Sequence, residues 1–173
     1  MSLKELTAEK HKLAEETSFM KAVINKSLPL ETWKDFIYQK FAFYGAIEIT
    51  ASDLGVLDGL NELKRSKLIQ TDYLEMTDGK YAHVLHPVTN DYRGYILGIE
   101  DPKQILAHIY TWHMGDMYGG QMIAKIIDAP HSHLVFNDRV ALIAKVRAVL
   151  TDDMAEEANI AFDWAIKIMQ QYD

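Results

Sequence analysis

Three side chains in this sequence have the types and spacing to act together on a bound group: His11, Glu15 and Asp116. Glu15 follows His11 by four residues in a charged amphipathic stretch, which places both on one helical face with Cβ atoms about 5–6 Å apart. A carboxylate there can accept one ring N–H and leave the other nitrogen for a metal; an exposed helical His–Glu pair of small energetic value is the alternative. Asp116 lies in His108-Ile-Tyr-Thr-Trp-His-Met-Gly-Asp-Met-Tyr-Gly-Gly-Gln121, where three glycines and an acid sit inside a helical pattern. Gly115 and Gly119 are four apart, as are Asp116 and Gly120, so one face has almost no side chain and an acid at its border. Each interior glycine costs about 0.5–1 kcal/mol relative to alanine. Something must come close to that backbone. Spacing alone leaves two readings: a close helix crossing of the small-xxx-small kind, or a bend over a flat ligand with Asp116 holding water beside it.

The elements that must position these residues read as helices. Ser2-Leu-Lys-Glu5 has the form of a capping box, and Thr7, His11 and Ala14 or Glu15 fall on one stripe of the helix it starts. Ser27-Leu-Pro-Leu-Glu31 breaks the chain and opens a second helix with Trp33, Phe36, Ile37, Phe41, Tyr44 and Ile47 at helical spacing. Asp78-Gly79 reads as a turn and His86-Pro87 as the start of a short helix. Asp101-Pro102 supplies an N-cap and a first-turn proline, and Ile105, Leu106, Ile109, Trp112, Ile123 and Ile126 continue the period. The pattern predicts one helix from Pro102 to about Ile127, ended by Ala129-Pro130. A helix through roughly Leu134 to Leu150 follows, and Thr151-Asp-Asp153 caps the last. With no alternating strand pattern, the fold class is all-α, one domain over residues 1–173 in which a flat ligand could sit between helices.

Composition narrows the chemistry. At 173 residues, 49% hydrophobic and 25% charged, the chain suits one core. No window approaches ~18 consecutive apolar residues, and the charged start is unlike a secretory signal, so a cytoplasmic protein without a membrane anchor is expected. The absence of cysteine removes disulfides, thiolate metal sites and cysteine nucleophiles. His83 with His86, and His131 with His133, lack a well-placed third ligand and read as surface histidines, not a zinc site. A net charge of −7 argues against nucleic acid as partner. Residues 1–40 nevertheless carry seven lysines against six acids, a weak basis for docking an acidic protein.

The run Ala107-His-x-Tyr-Thr-x-x-x-Gly115-Asp-x-x-Gly119-Gly-Gln121 closely resembles the distal helix of heme oxygenases, where kinked backbone lies over the porphyrin. Thr7-x-x-x-His11-x-x-Ala14-Glu15-x-x-x-Phe19-Met20 resembles their proximal helix, including its iron-binding histidine. Phe43-Tyr44-Gly-Ala-Ile-Glu48, Glu62-Leu63-x-Arg65 and Glu156-Glu-Ala-x-x-Ala161-Phe162 extend the likeness over most of the chain in family order. The resemblance implies a heme oxygenase fold with heme, both cofactor and substrate, between the first helix and the glycine-rich one. It implies His11 as iron ligand with Glu15 behind it, and Thr7, Met20 and Phe162 as pocket lining. Lys4 matches a residue that contacts propionates. Tyr110, Thr111 and Gly120 are implied cofactor contacts, Tyr110 toward a propionate, and Asp116, Gly115, Gly119 and Tyr44 form the implied catalytic group. Arg139, Lys145 and Arg147 are candidate propionate partners. The implied activity opens the porphyrin to biliverdin, carbon monoxide and ferrous iron, using O2 and electrons from ferredoxin or a flavoprotein reductase.

Several positions depart from the family pattern. Trp112 and His113 stand where an arginine and an aromatic residue are common, so part of the distal charge network is missing. Ala8 replaces a lysine and Ala165 an asparagine, and the connection before Glu62 is short. Two other readings use the same features. A heme carrier or sensor would need His11 and the glycines equally. A di-iron or thiaminase-like enzyme could share the architecture, but the lack of cysteine and of a Glu-x-x-His pair counts against both.

Overall fold

Ser2 starts the first helix by the reciprocal bonding its spacing predicts: its hydroxyl accepts from the Glu5 N–H at 3.3 Å and its own N–H donates to Glu5 Oε2 at 2.7 Å. In the computed structural model, which describes every residue from Met1 to Asp173, this is α1 (Leu3–Glu15), followed by α2 (Ser18–Ile24), α3 (Leu30–Asp53), α4 (Ser66–Met76), α5 (Pro87–Leu97), α6 (Pro102–Met117), α7 (Gly119–Ile126), α8 (Arg139–Arg147) and α9 (Ala155–Met169). Short 3-10 turns at Asn61–Leu63, Ser132–Leu134, Asp152–Met154 and Gln170–Tyr172 complete an all-helical fold without strands. No helix is long and apolar enough to cross a membrane.

The aromatic stripe read in α3 makes that helix the centre of the core. Trp33, Phe36, Ile37, Phe43, Tyr44 and Ile47 are all buried, and α3 packs against α4, α5 and α6. Phe43 is the hub: its ring lies 4.4 Å from Trp112 of α6 and 5.6 Å from Tyr92 of α5. α9 packs against both α1 and α6, so the two helices expected to flank a ligand share a common support. The Asp78-Gly79 turn also forms as read, with positive φ of 52° and 76° at the two residues, the region open to glycine and tolerated by aspartate.

Two boundaries differ from expectation. The predicted helix from Pro102 to Ile127 is two helices, broken at Tyr118, whose φ of −107° and ψ of −88° leave the helical region. Hydrophobic periodicity runs through the break because Ile123 and Ile126 keep the phase. The carbonyls freed there find side-chain donors: Arg139 reaches Met117 O at 2.8 Å, and Gln121 Nε2 spans Asp116 O at 3.0 Å and Leu134 O at 2.8 Å. Such partners are what a buried helix end requires. The helix expected from Leu134 to Leu150 is also shorter. Leu134 is drawn into the core, Val135 O accepts from Arg65 Nη1 at 2.9 Å, and α8 begins only where the Asp138 carboxylate caps Ala141 N–H at 3.1 Å.

Because Phe43 is fully buried and joins three helices, Phe43→Ala should reduce the free energy of unfolding by about 3–5 kcal/mol, measured by urea denaturation; a loss below ~1 kcal/mol would contradict its place at the centre of the packing.

Candidate active site

Two ties join α1 and α2 to the glycine-containing pair α6 and α7, and the stretch between them is the slot in which the family resemblance puts a ligand. At one end Thr7 Oγ1 lies 3.1 Å from Tyr110 OH. The threonine hydroxyl already donates to Leu3 O at 2.9 Å, so the tyrosine is the donor. At the other end α2 packs on α7. Between the ties, α1 contributes His11 and α6 contributes the backbone from Gly115 to Gly119.

His11 is half-exposed, with its Nε2 3.5 Å from Glu15 Oε1 and its ring set edge-on to buried Phe162 of α9, centroids 5.7 Å apart at 79°. One ring nitrogen therefore faces a carboxylate and the other is free for a metal. Gly115 and Gly119 are both exposed, and a Cβ built on either meets no atom within 4 Å. The close-crossing reading of this pair does not hold, since nothing crosses there. Gly120 differs: it is buried, and its Cβ would come 3.1 Å from Leu134 Cδ2. It is the packing glycine of the three, where a side chain would meet Leu134 of the core.

The remaining expected residues divide in the same way. Met20 is partly buried against the core, and Lys4 is exposed. Thr111 is buried, and its hydroxyl bonds the carbonyls of Ala107 at 3.1 Å and Ala158 at 3.4 Å, so it fastens α6 to α9. Arg147 bonds the Tyr118 hydroxyl at the helix break and lies over its ring. Lys145 sits 3.8 Å from Glu62 and lines a separate cavity of about 520 Å³ with Leu54, Leu60 and Leu106. The structure thus groups Lys145 with those residues and not with His11.

Beneath the open glycines lies a buried polar cluster. Asp116 receives Lys40 Nζ on Oδ1 at 2.8 Å and the Tyr44 hydroxyl on Oδ2 at 2.6 Å. Lys40 Nζ also lies 3.2 Å from His133 Nε2, and His133 Nδ1 lies 2.6 Å from Asp72 Oδ2. An ammonium can only donate, so Nε2 of His133 accepts and Nδ1 carries the proton to Asp72. Asp72 is pinned in turn by the Ser132 N–H and hydroxyl at 2.9 and 2.6 Å and by the His133 N–H at 2.9 Å. Burial alone would raise the Asp116 carboxyl, but the Lys40 charge and the two hydrogen bonds outweigh it, and the group lies below its ordinary value. Burial and the Asp116 charge push the Tyr44 phenol well above its own. Burial and the Lys40 charge hold His133 low, against the pull of Asp72.

This cluster corrects the reading of the paired histidines as surface groups. His133 is fully buried, and His83, whose Nδ1 is 2.7 Å from Tyr73 OH, has a side chain only 15% exposed. No cluster of three metal-ligating side chains forms. Sequence reasoning missed Lys40, His133 and Asp72 as parts of the site, and Gln121 and Arg139 as braces of the break; Gln121 alone had a signal, as the last residue of the glycine motif.

A second network locks α6 in rotation. Tyr92 OH lies 2.6 Å from His108 Nδ1, His108 Nε2 lies 3.0 Å from Glu157 Oε1, and Trp112 Nε1 donates to Tyr92 OH at 3.0 Å. Next to it His113 Nε2 lies 3.1 Å from Glu48 Oε2, and its ring stacks on Tyr44 at 4.5 Å. Trp112 and His113, which replace an arginine and an aromatic residue of the family pattern, are therefore committed to the core.

Comparison with known proteins gives one result. The family described as heme oxygenase matches residues 1–137. The heme oxygenase of Guillardia theta is 28% identical over 202 positions, covering 100% of this chain and 85% of that protein. Heme oxygenase 1 of Gallus gallus is 32% identical over 135 positions, covering 72% of this chain and 45% of that protein. Among solved structures, heme oxygenase-1 from the cyanobacterium Synechocystis in complex with heme superimposes with a TM-score of 0.86 at 20% identity, over 99% of this chain and 90% of that one. Heme oxygenase from Leptospira interrogans gives 0.84 at 22%, over 99% and 100%. These matches run the length of both walls of the slot, α1 with His11 and α6 with Gly115 and Asp116, and by them the chain belongs to the heme oxygenase family.

Proposed function

We propose that this protein cleaves heme oxidatively to biliverdin, carbon monoxide and ferrous iron, using O2 and electrons from an external donor, ferredoxin or a flavoprotein reductase. The observation that carries the reading is the open glycine backbone of Gly115 and Gly119, with no atom within 4 Å of a Cβ at either position, in a slot that also holds a half-exposed imidazole, His11. A flat metal-bearing ligand would be held by these residues, and the absence of cysteine leaves histidine as its protein ligand. A cytoplasmic location belongs to the same proposal and agrees with a chain free of cysteine.

Heme bound in the slot supplies the iron that takes up O2 and the ring that is opened. The chain's own groups have separate tasks. His11 offers one imidazole nitrogen, and Glu15 at 3.5 Å from its ring sets the orientation of the ring. Phe162 supports the ring edge. Gly115 and Gly119 leave room on the other wall without placing an acid or base side chain there. Asp116, held ionised beneath that wall, is placed to orient water by accepting its hydrogen bond and so to govern proton delivery. Tyr110, whose hydroxyl proton is committed to Thr7, closes one end of the slot, and a propionate there would have to displace that bond or be met by exposed Lys4. A carrier or sensor would need the slot and His11 but not the buried acid.

The test is hemin titration followed by single-turnover absorption spectroscopy with ascorbate, or ferredoxin and its reductase, in air with catalase present. Stoichiometric binding followed by Soret loss and a broad red biliverdin band is expected; binding without decay under every donor would leave the carrier reading, and no binding would remove both. Asp116→Ala should retain heme yet form biliverdin roughly a hundredfold more slowly, and an unchanged yield would sink the assigned role. His11→Ala should alter the heme spectrum in a way that added imidazole restores.

Gly115→Ala should divide stability from binding. The new methyl enters open space, so the heme-free protein should gain about 0.5–1 kcal/mol, while hemin affinity falls because that space is the ligand's. Unchanged affinity would show that the glycine face is not the binding wall.

A further inference from the structure

The cation that faces Asp116 does not come from α6. Trp112, at the position where the family commonly has an arginine, donates its indole N–H to Tyr92 and packs on Phe43. Lys40 of α3 takes that place from the other side. It is only 5% exposed, one helical turn before Tyr44, and the two residues bond the two different oxygens of one carboxylate. Its remaining contacts are as fixed: the ammonium lies 5.1 Å from the Tyr44 ring centroid and 3.2 Å from a His133 nitrogen that can only accept. Asp72 and Ser132 immobilise that histidine from behind. A lysine is a flexible point charge, and here every element around it removes that flexibility.

We propose that Lys40 is the cationic positioning residue of the distal wall, holding Asp116 ionised and aimed beneath Gly115 and Gly119, with the His133–Asp72 pair as the tether that fixes the ammonium. The inference rests on the proposed heme chemistry for its consequence but not for its test. The groups that act on the Asp116 charge are Lys40 and Tyr44 from α3, His133 from the 3-10 turn and, at longer range, Arg65 at the start of α4; Glu48, Asp72 and His113 face those partners in turn, Glu48 acting on Tyr44, Asp72 on His133 and His113 on Glu48. Lys40 is the one cation in hydrogen-bond contact with the carboxylate; Arg65 is engaged with Val135 O, Glu62 O and the Phe136 ring.

The experiment is a titration of the heme-free full chain labelled with 13C at aspartate Cγ, the Asp116 signal being assigned by its absence in Asp116→Asn. In the wild type the carboxylate should stay ionised through the acid range in which exposed aspartates protonate. In Lys40→Met burial is opposed by the Tyr44 hydrogen bond and His133 but no longer by the adjacent ammonium, and the proton affinity of Asp116 should rise on the order of tenfold or more, whereas Lys40→Arg should stay close to wild type. A midpoint unmoved in Lys40→Met overturns the proposal. Should that variant not fold, the wild-type Lys40 ammonium decides it: its 15N signal must shift in Asp116→Asn and not in Asp163→Asn, and absence of that shift overturns the proposal equally. With heme and a reductant, the acid limb of the biliverdin rate profile should move to higher pH in Lys40→Met with hemin affinity retained; an unmoved limb refutes the positioning role. A wild type that binds no heme or forms no biliverdin refutes the heme reading while leaving the Asp116 titration intact.

Discussion

A buried ion pair sets the terms for the rest of this molecule. Lys40 and Asp116 are both removed from water, and taking two charges out of water costs several kcal/mol per ion unless geometry and further hydrogen bonds offset it. The remaining hydrogen-bonding capacity of both groups therefore has to be met by protein. Tyr44 meets the second carboxylate oxygen, His133 accepts from the ammonium, and Asp72 holds His133. Four segments must converge for this to happen. α3 brings Lys40 and Tyr44 one turn apart, α6 brings Asp116, α4 brings Asp72, and the turn after α7 brings His133. The aromatic packing of α3 around Phe43 fixes where its polar residues point.

The break at Tyr118 follows from the same economy of polar groups. A bare helical backbone suits a flat ligand, but ending a helix there strands carbonyls near the core. Gln121 and Arg139 donate to them from beyond the break, and Gln121 also binds Leu134 O, which draws in the turn that carries His133. The bend over the slot and the assembly of the buried cluster are thus mechanically joined. Gly120 permits the join, since its missing side chain is what lets Leu134 approach.

Local spacing made the slot legible. The capping box at Ser2, the His11–Glu15 pair and the small-residue face of α6 are all i to i+3 or i+4 relations, and each is found where the pattern puts it. Tyr44 was legible through its resemblance to a family motif. The interior of the site was not. Lys40 is 76 residues from Asp116 and 93 from His133, and Asp72 is 61 from His133. No periodicity connects such positions. Lys40 read as one of the lysines of a basic N-terminal region, and His133 as a surface residue, because ionisable groups are rarely buried unless paired and the pairing is itself a product of the fold. The break at Tyr118 was hidden for a different reason: hydrophobic phase carries across it, while the event that creates it is backbone geometry sustained by residues several turns away.

Trp112 shows how one local departure can move a function to another element. An arginine at that position would place a cation on the same helix as the acid, free to follow any rotation of α6. A tryptophan there instead locks the helix, through Tyr92, His108 and Glu157, to α5 and α9. The charge partner of Asp116 then has to come from a neighbour, and α3, already packed by Phe43 against that tryptophan, is the neighbour whose next polar position reaches the carboxylate. A cation on α3 and a wedge on α6 fix the acid from two directions. With the indole N–H spent on Tyr92 and the ammonium held between Asp116 and His133, the wall above them can stay bare of acid or base side chains.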